Sequence, residues 1–251
     1  MEYSDETDLS NYKKVNTDTW DDIKDYIKLR AINTKYLEEY GNHIACKKFL
    51  DISLTLSLQE KQDKMLSYVL TEEDLKKYNV SFDEAFKIAK DNSLSDRKRR
   101  ILPLREYMIQ SELLYPLANI ISNANIGFGD GAGVLEDIDT EYGMDNIVVL
   151  CNRTDTFGAT YMCIPEVLDE VYRQFNNKNF YILPMSIHQA WCVRQSYANK
   201  DNTKPMQYVE DDLLGMVEEF NDTQNKNWKD ILSYKIYYYI GDDGKHVFPI
   251  Q

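Results

Sequence analysis

The chain is poor in the residue types that most often do chemistry. Its 251 residues include three histidines, His43, His188 and His246, and four cysteines, Cys46, Cys151, Cys163 and Cys192. Transition-metal centres draw on clusters of these two types. His43 with Cys46, and His188 with Cys192, are the close pairs in sequence, and two ligands do not make a centre. His188 and Cys192, with Trp191 beside them, also invite a nucleophile–base dyad. If the backbone runs extended after Gln189 the two side chains need not meet, and no oxyanion donor is visible. Each cysteine lies in or beside an apolar run and none forms a C-x-x-C, so reduced, buried thiols are expected. Cys151 and Cys163 face each other only if their two runs pair.

Two further stretches imitate ligand sites. Gly127-Phe-Gly-Asp-Gly-Ala-Gly133 looks like a phosphate loop, but a P-loop needs Gly-Lys-Ser/Thr opening a helix. This stretch has no lysine, and Asp130 and Glu136 repel an anion. A dinucleotide fingerprint needs a buried strand before it, and Asn123–Asn125 break that context. Asp137-Ile-Asp-Thr-Glu-Tyr-Gly143 has alternating oxygens, yet Tyr142 and Val148 stand where an EF-hand needs glycine and a bidentate glutamate. No cofactor and no metal is expected.

Charge is the stronger signal. The formal net charge is −13. Residues 1–25 carry a net −5, and residues 106–152 a net −8 with no lysine or arginine, so the remainder balances. A field of one sign deters nucleic acid and attracts basic surfaces. Arg97-Lys-Arg-Arg100 is the basic cluster. It lacks the interleaved aromatics of a nucleic-acid surface and reads as a solvated loop beside a domain boundary.

These residues need elements to position them. A helix is expected from Asp18 or Thr19 to Tyr40, carrying Trp20, Ile23 and Ile27, with Gly41 as its stop. Ile44–Leu58 reads as a half-buried strand, with Leu50, Ile52, Leu54, Leu56 and Leu58 inward and Asp51, Ser53, Thr55 and Ser57 outward. Met65–Leu70 pairs with it. Thr71 with Asp74 three residues on marks one helix start, and Ser81 with Glu84, read as a capping box, marks a second. Ile101–Ser122 has helical spacing interrupted at Pro116, and Asn123–Asp145 is an acidic, glycine-rich loop. Ile147–Asn152 and Ala159–Ile164 read as a hairpin around Arg153–Gly158. Pro165 opens a helix with Val167, Leu168, Val171, Tyr172 and Phe175 on one side, and Phe180–Leu183 is a buried strand. Ser186 suits the cap of one helical turn before Ala190–Val193 extends. Val209, Leu213, Met216, Val217 and Phe220 form the apolar side of a late helix whose other side bears Asp211, Asp212, Glu218, Glu219 and Asp222. Trp228, Ile231 and Leu232 suggest a short helix, and Tyr234–Ile240 a last strand.

Several segments resemble an uncharacterised clostridial family, a domain of unknown function common in gut Firmicutes. They are LDISLTLSL (Leu50–Leu58), Met65–Asn92 ending in Ala-x-x-Asn, Asn152–Val171 with its Gly-Ala turn and Pro-Glu-x-Leu, the late VEEFNDTQ, and FYILPMSIHQAW (Phe180–Trp191). The last, with Leu-Pro-x-Ser-Ile-His, is the most specific. The likeness spans roughly residues 45–240 and implies an α+β fold but no activity.

The expectation is therefore an α+β protein of mixed or antiparallel sheets with packed helices, built from two similar strand-hairpin-helix units. Residues 1–16 form a mobile start, 17–100 an N-terminal unit, 101–146 a helical and acidic connection, and 147–251 a C-terminal unit. The acidic start and the lack of a spanning apolar run suggest a cytoplasmic protein without membrane contact. Functionally, the acids Asp130, Glu136, Asp137, Asp139, Glu141, Asp145, Asp211, Asp212, Glu218 and Glu219 are expected to face a basic protein partner. The sharpest form is a phage-type, anti-CRISPR-like inhibitor occupying the nucleic-acid groove of a nuclease. The alternatives are an enzyme with a site near His188 and a structural protein kept soluble by its charge.

Overall fold

The computed structural model describes residues 19–40, 43–59, 67–110, 146–153, 156–195, 206–223, 228–241 and 246–250. The fold is α+β, and it divides into two compact units, Met1–Arg99 and Arg100–Gln251.

In the first unit, Trp20–Ile23 (α1) and a 3-10 turn lead into strand β1 (Ile27–Asn33), followed by α2 (Thr34–Tyr40). The long helix expected from Thr19 to Tyr40 is thus broken by a strand. The i, i+3, i+7 spacing of Trp20, Ile23 and Ile27 suits either reading. What decides is pairing: Ile27–Asn33 lies antiparallel to β3 (Ile52–Gln59) in unbroken register, Ile27 to Leu58 and Asn33 to Ile52. The expected single strand from Ile44 is a hairpin. β2 (Cys46–Phe49) and β3 meet at Phe49 and Ile52 across a two-residue turn, Leu50–Asp51. Leu50 sits there at φ 59, exposed, in a region that costs a bulky side chain. β4 (Ser67–Val69) pairs with β3 beyond β2, which confirms the second hairpin.

The hydroxyl face of β3 is also inside. Ser53, Thr55 and Ser57 are as buried as Ile52, Leu54 and Leu56. Burying a hydroxyl is tolerable when it is hydrogen-bonded. Thr55 donates to the carbonyl of Arg30, and Ser53 shares a hydrogen bond with Thr34. The hydroxyl of Ser57 finds no partner among the described residues.

Both helix starts hold, but the reciprocal capping box forms at Thr71 and Asp74, at the start of α3 (Glu72–Lys77), and not at Ser81, where the side chain accepts from the Glu84 N–H at the start of α4 (Phe82–Leu94) without a box. α4 buries Ala85, Ala89 and Ser93 and packs along β1. Its last turns close that strand's outer edge. Ser93 Oγ accepts from Leu29 N–H at 3.0 Å, and Asn92 Nδ2 donates to the carbonyls of Lys24 at 2.8 Å and Ile27 at 2.9 Å. Lys28 pairs with Asp96 just beyond. The Ala89-x-x-Asn92 pattern is therefore an edge clamp: the small residue allows close approach and the amide satisfies two carbonyls.

In the second unit a six-stranded sheet runs β10-β9-β7-β8-β6-β5. Its strands are β5 (Arg99–Pro103), β6 (Ile147–Asn152), β7 (Phe180–Leu183), β8 (Ala190–Arg194), β9 (Ile236–Ile240) and β10 (His246–Ile250). The helical reading of Ile101–Pro103 gives way to β5, an edge strand, and α5 (Leu104–Gln110) starts after it. Arg99 and Arg100 of the basic cluster begin β5 rather than a loop.

The hairpin expected at 147–164 does not form. β6 pairs with β8, and Gly158–Cys163 is a buried 3-10 turn. Gly158 explains why. A Cβ there would stand 2.5 Å from the Cα of Cys151 and 2.6 Å from the carbonyl oxygen of His188. The segment wedges against β6 instead of pairing with it. α6 (Pro165–Gln174) follows, with proline at its start and Val167, Leu168 and Val171 buried. Asn176 and Asn177, both with left-handed φ, end it before β7. On one face of the sheet Tyr239 stacks on Phe180 and donates to Asp169 of α6 at 2.7 Å. On the other, Ile147, Val149, Tyr181, Val193 and Ile236 form a core with Leu213 and Val217 of α7 (Met206–Thr223).

Candidate functional site

Two loci deserve comparison, the outer side of α7 and the surroundings of His188. α7 carries no lysine or arginine along its whole length. Leu213 and Val217 are buried, Met216 and Phe220 are half-buried, and Asp211, Asp212, Glu218, Glu219 and Asp222 are all exposed. At 1.5 Å per residue, the two acid pairs stand about 10 Å apart, two turns along one side of the helix. Between them is Gly215, whose notional Cβ has nothing within 4 Å. At the far end Tyr234, 45% exposed, donates to Asp222 at 3.3 Å. Burial and then Asp222 push the Tyr234 hydroxyl above its ordinary range. The expected partner-facing acids Asp130, Glu136, Asp137, Asp139, Glu141 and Asp145 lie outside the described residues.

His188 sits between three segments. Its Nδ1 accepts from the backbone N–H of Phe157 at 3.3 Å, and its Nε2 is 3.8 Å from Asp230 Oδ1. A lone pair used on Nδ1 puts the ring proton of the neutral form on Nε2. The ring lies 5.7 Å from that of Phe157. The backbone is pinned as well: His188 N–H donates to Ser186 Oγ, and Ile187 N–H to the carbonyl of Asp230. Ser186 thus caps a bend, where a helical turn was expected, and β8 then extends as read.

Cys192 is fully buried on the sheet face opposite Trp191, and burial raises its thiol far above the range of a working nucleophile. Trp191 is half-buried, with its Nε1–H on Gln189 at 3.2 Å and its ring edge-on to Phe220. The imagined dyad therefore does not assemble. Phe157 and Asp230, which do meet His188, were missed by sequence reasoning because they arrive from distant segments. The one local hint was Gly158 at a turn.

Near His43, Cys46 is a half-buried free thiol, raised chiefly by burial. Among the described residues no group of three His, Cys, Asp or Glu is placed to hold a metal ion, and no helix is long and apolar enough to cross a membrane. None of the four cysteines is in a disulfide.

Residues 2–240 match the family described as a family of unknown function, DUF5688, so the chain belongs to that family. The match also takes in residues 2–44, ahead of the resemblance legible from residue 45. No curated protein and no solved structure matches the chain.

Proposed function

We propose that this DUF5688 member is a non-enzymatic binding module whose acidic side engages a basic protein partner. The single observation that supports it is α7: its apolar side is spent on the sheet, while every acid named above on its other side is solvent-facing. That arrangement is not what helix stability would select. Glu219 and Asp222 stand toward the C-terminal end, where the helix dipole disfavours negative charge by about 0.3–1 kcal/mol each. No basic residue offsets them in the last turn. In its sharpest form the partner is a nuclease whose nucleic-acid groove receives carboxylates in place of phosphates, as a phage-type inhibitor would supply.

Catalysis at His188 is the less supported reading. A general base needs a free lone pair at the reacting proton. Here Nδ1 is occupied and Nε2 carries the proton.

The test is affinity capture by the full chain, alongside a variant with Asp211, Asp212, Glu218 and Glu219 all changed to Lys. A partner retained by the wild type, released by raising salt from about 0.05 to 0.5 M, and lost in the variant supports the reading. Equal retention by the two proteins ends it.

A further inference from the structure

We infer that the basic partner of α7 is a second copy of this chain, with Leu50 of one copy seated on Gly215 of the next. The inference rests on the reading of α7 given above and names its partner. Two residues break local rules, and the two breaks match. A two-residue hairpin turn such as Leu50–Asp51 favours glycine, asparagine or aspartate where φ is positive. Elsewhere Asn79, Asn176 and Asn177 take positive φ with a residue that tolerates it, and Phe157 is half-buried. Leu50, at φ 59, is bulky and 41% exposed. Backbone strain is spent there on an apolar knob at the tip of a hairpin. Gly215 is the reverse: a glycine inside a helix, where alanine is favoured and an added Cβ would meet nothing within 4 Å.

Charge follows the same match. Gly215 is three or four residues from each of Asp211, Asp212, Glu218 and Glu219, the spacing of neighbours on a helix, so exposed carboxylates ring the gap. Leu50 has the opposite collar. Lys47 and Lys48 precede it on β2, and Lys35 adjoins the point where the Thr34 N–H donates to the Asp51 carbonyl at 3.2 Å. All three lysines are exposed. Lys47 rests over the Phe86 ring, and neither Lys35 nor Lys48 forms an ion pair with a described residue. The acid of the turn, Asp51, is half-buried. A knob collared by lysines and a gap ringed by carboxylates are complementary in shape and in charge. Knob and gap are different surfaces, so the contact is heterologous and continues past a dimer into rings or open chains. Each copy carries −13, which opposes close approach at low salt. Near 0.1 M the Debye length of about 10 Å spans the collar but not the whole molecule, so association should be strongest there and fall on either side.

Sedimentation of the purified full chain tests the contact. The weight-average mass of the wild type should rise with protein concentration and pass that of a dimer. Leu50→Gly removes the knob and Gly215→Leu fills the gap. Each also relieves a local conformational cost, so both should stay monomeric without a lower urea midpoint. A charge exchange then identifies the pairing. Lys35→Glu with Lys48→Glu in one protein, and Glu218→Lys with Glu219→Lys in another, should leave each monomeric alone and restore association when the two are mixed. A wild type that is monomeric at every concentration overturns the inference, as does association that survives both Leu50→Gly and Gly215→Leu. If the wild type is monomeric while α7-dependent capture of a different basic protein holds, this inference falls and the reading of α7 stands.

Discussion

Adding one methyl group at two glycines of the same unit should move stability in opposite directions. At Gly158 the new Cβ would stand 2.5 and 2.7 Å from backbone atoms of Cys151 and 2.6 Å from the carbonyl oxygen of His188. Carbon atoms rest at about 3.5–4.0 Å, so β6 or the His188 segment must retreat by about 1 Å. Neither yields easily. β6 is buried along its length and paired to β8, and the His188 segment is tied to Ser186 and Asp230. Overpacking against fixed backbone costs about 3 kcal/mol or more. For a unit of this size that is roughly 6–12 °C in Tm. At Gly215 the Cβ meets nothing, and alanine is the better helix former by about 0.5–1 kcal/mol. Gly215→Ala should therefore raise the urea midpoint and Gly158→Ala should lower it sharply, with unchanged m-values. A Gly158→Ala loss below about 1 kcal/mol would refute the wedge that replaced the expected hairpin. A destabilised Gly215→Ala would show that the outer side of α7 is covered, against the functional reading.

The remaining predictions concern the edge clamp, the tyrosines, the thiols and α7. Asn92→Ala strands the carbonyls of Lys24 and Ile27 and should cost about 1–3 kcal/mol, seen as early exchange of β1 amides. Burial first, then Asp169, raises the Tyr239 hydroxyl, and Tyr68 and Tyr181 are raised chiefly by burial as well. A raised folded value stabilises fully below the unfolded one and is lost as pH climbs, so urea midpoints should fall above the ordinary value of 10.0, less steeply in Tyr239→Phe. Under native conditions a thiol reagent should reach Cys46 well before Cys192, which should react only on unfolding; equal rates would contradict the burial of β8. Glu219→Lys should stabilise α7 by about 0.3–1 kcal/mol while weakening capture of the basic partner. A variant that gains stability and keeps binding would place the interface elsewhere.

What was legible in the sequence was what neighbouring residues decide among themselves. Thr71 with Asp74, Ser81 with Glu84 and Pro165 mark helix starts because their hydrogen bonds close within one turn. β6 and β7 are buried on both faces, so an unbroken apolar run announces them. The misreadings share a non-local cause. Ile27–Asn33 is a strand because β3 is available to pair with it. Ala159–Ile164 is apolar enough for a strand, but Gly158 lets it press into the backbone of Cys151. Ser53, Thr55 and Ser57 alternate like a solvent face and are nonetheless covered. At the candidate sites the exposed acids of α7 followed from helical spacing alone. The His188 cluster did not, since Phe157 and Asp230 reach it only through the fold.

Composition treats all carboxylates alike, and the fold separates them. Asp74 accepts from Thr71 and Tyr68, Asp96 meets Lys28, Asp169 takes the Tyr239 hydroxyl, and Asp230 faces His188. Each of these acids joins two segments of the fold. Asp211, Asp212, Glu218 and Glu219 are exposed, and the core contacts of α7 come from Leu213 and Val217 on its other side. Solubility alone would be served by acids and bases interspersed along such a helix, an arrangement that also supports helices through i, i+4 pairs. A helix that forgoes every base, sets acids toward its disfavoured end and keeps an uncontacted glycine between them gives up stability on several counts at once. That combined loss is what selection for an external basic surface would explain and selection for a soluble fold would not.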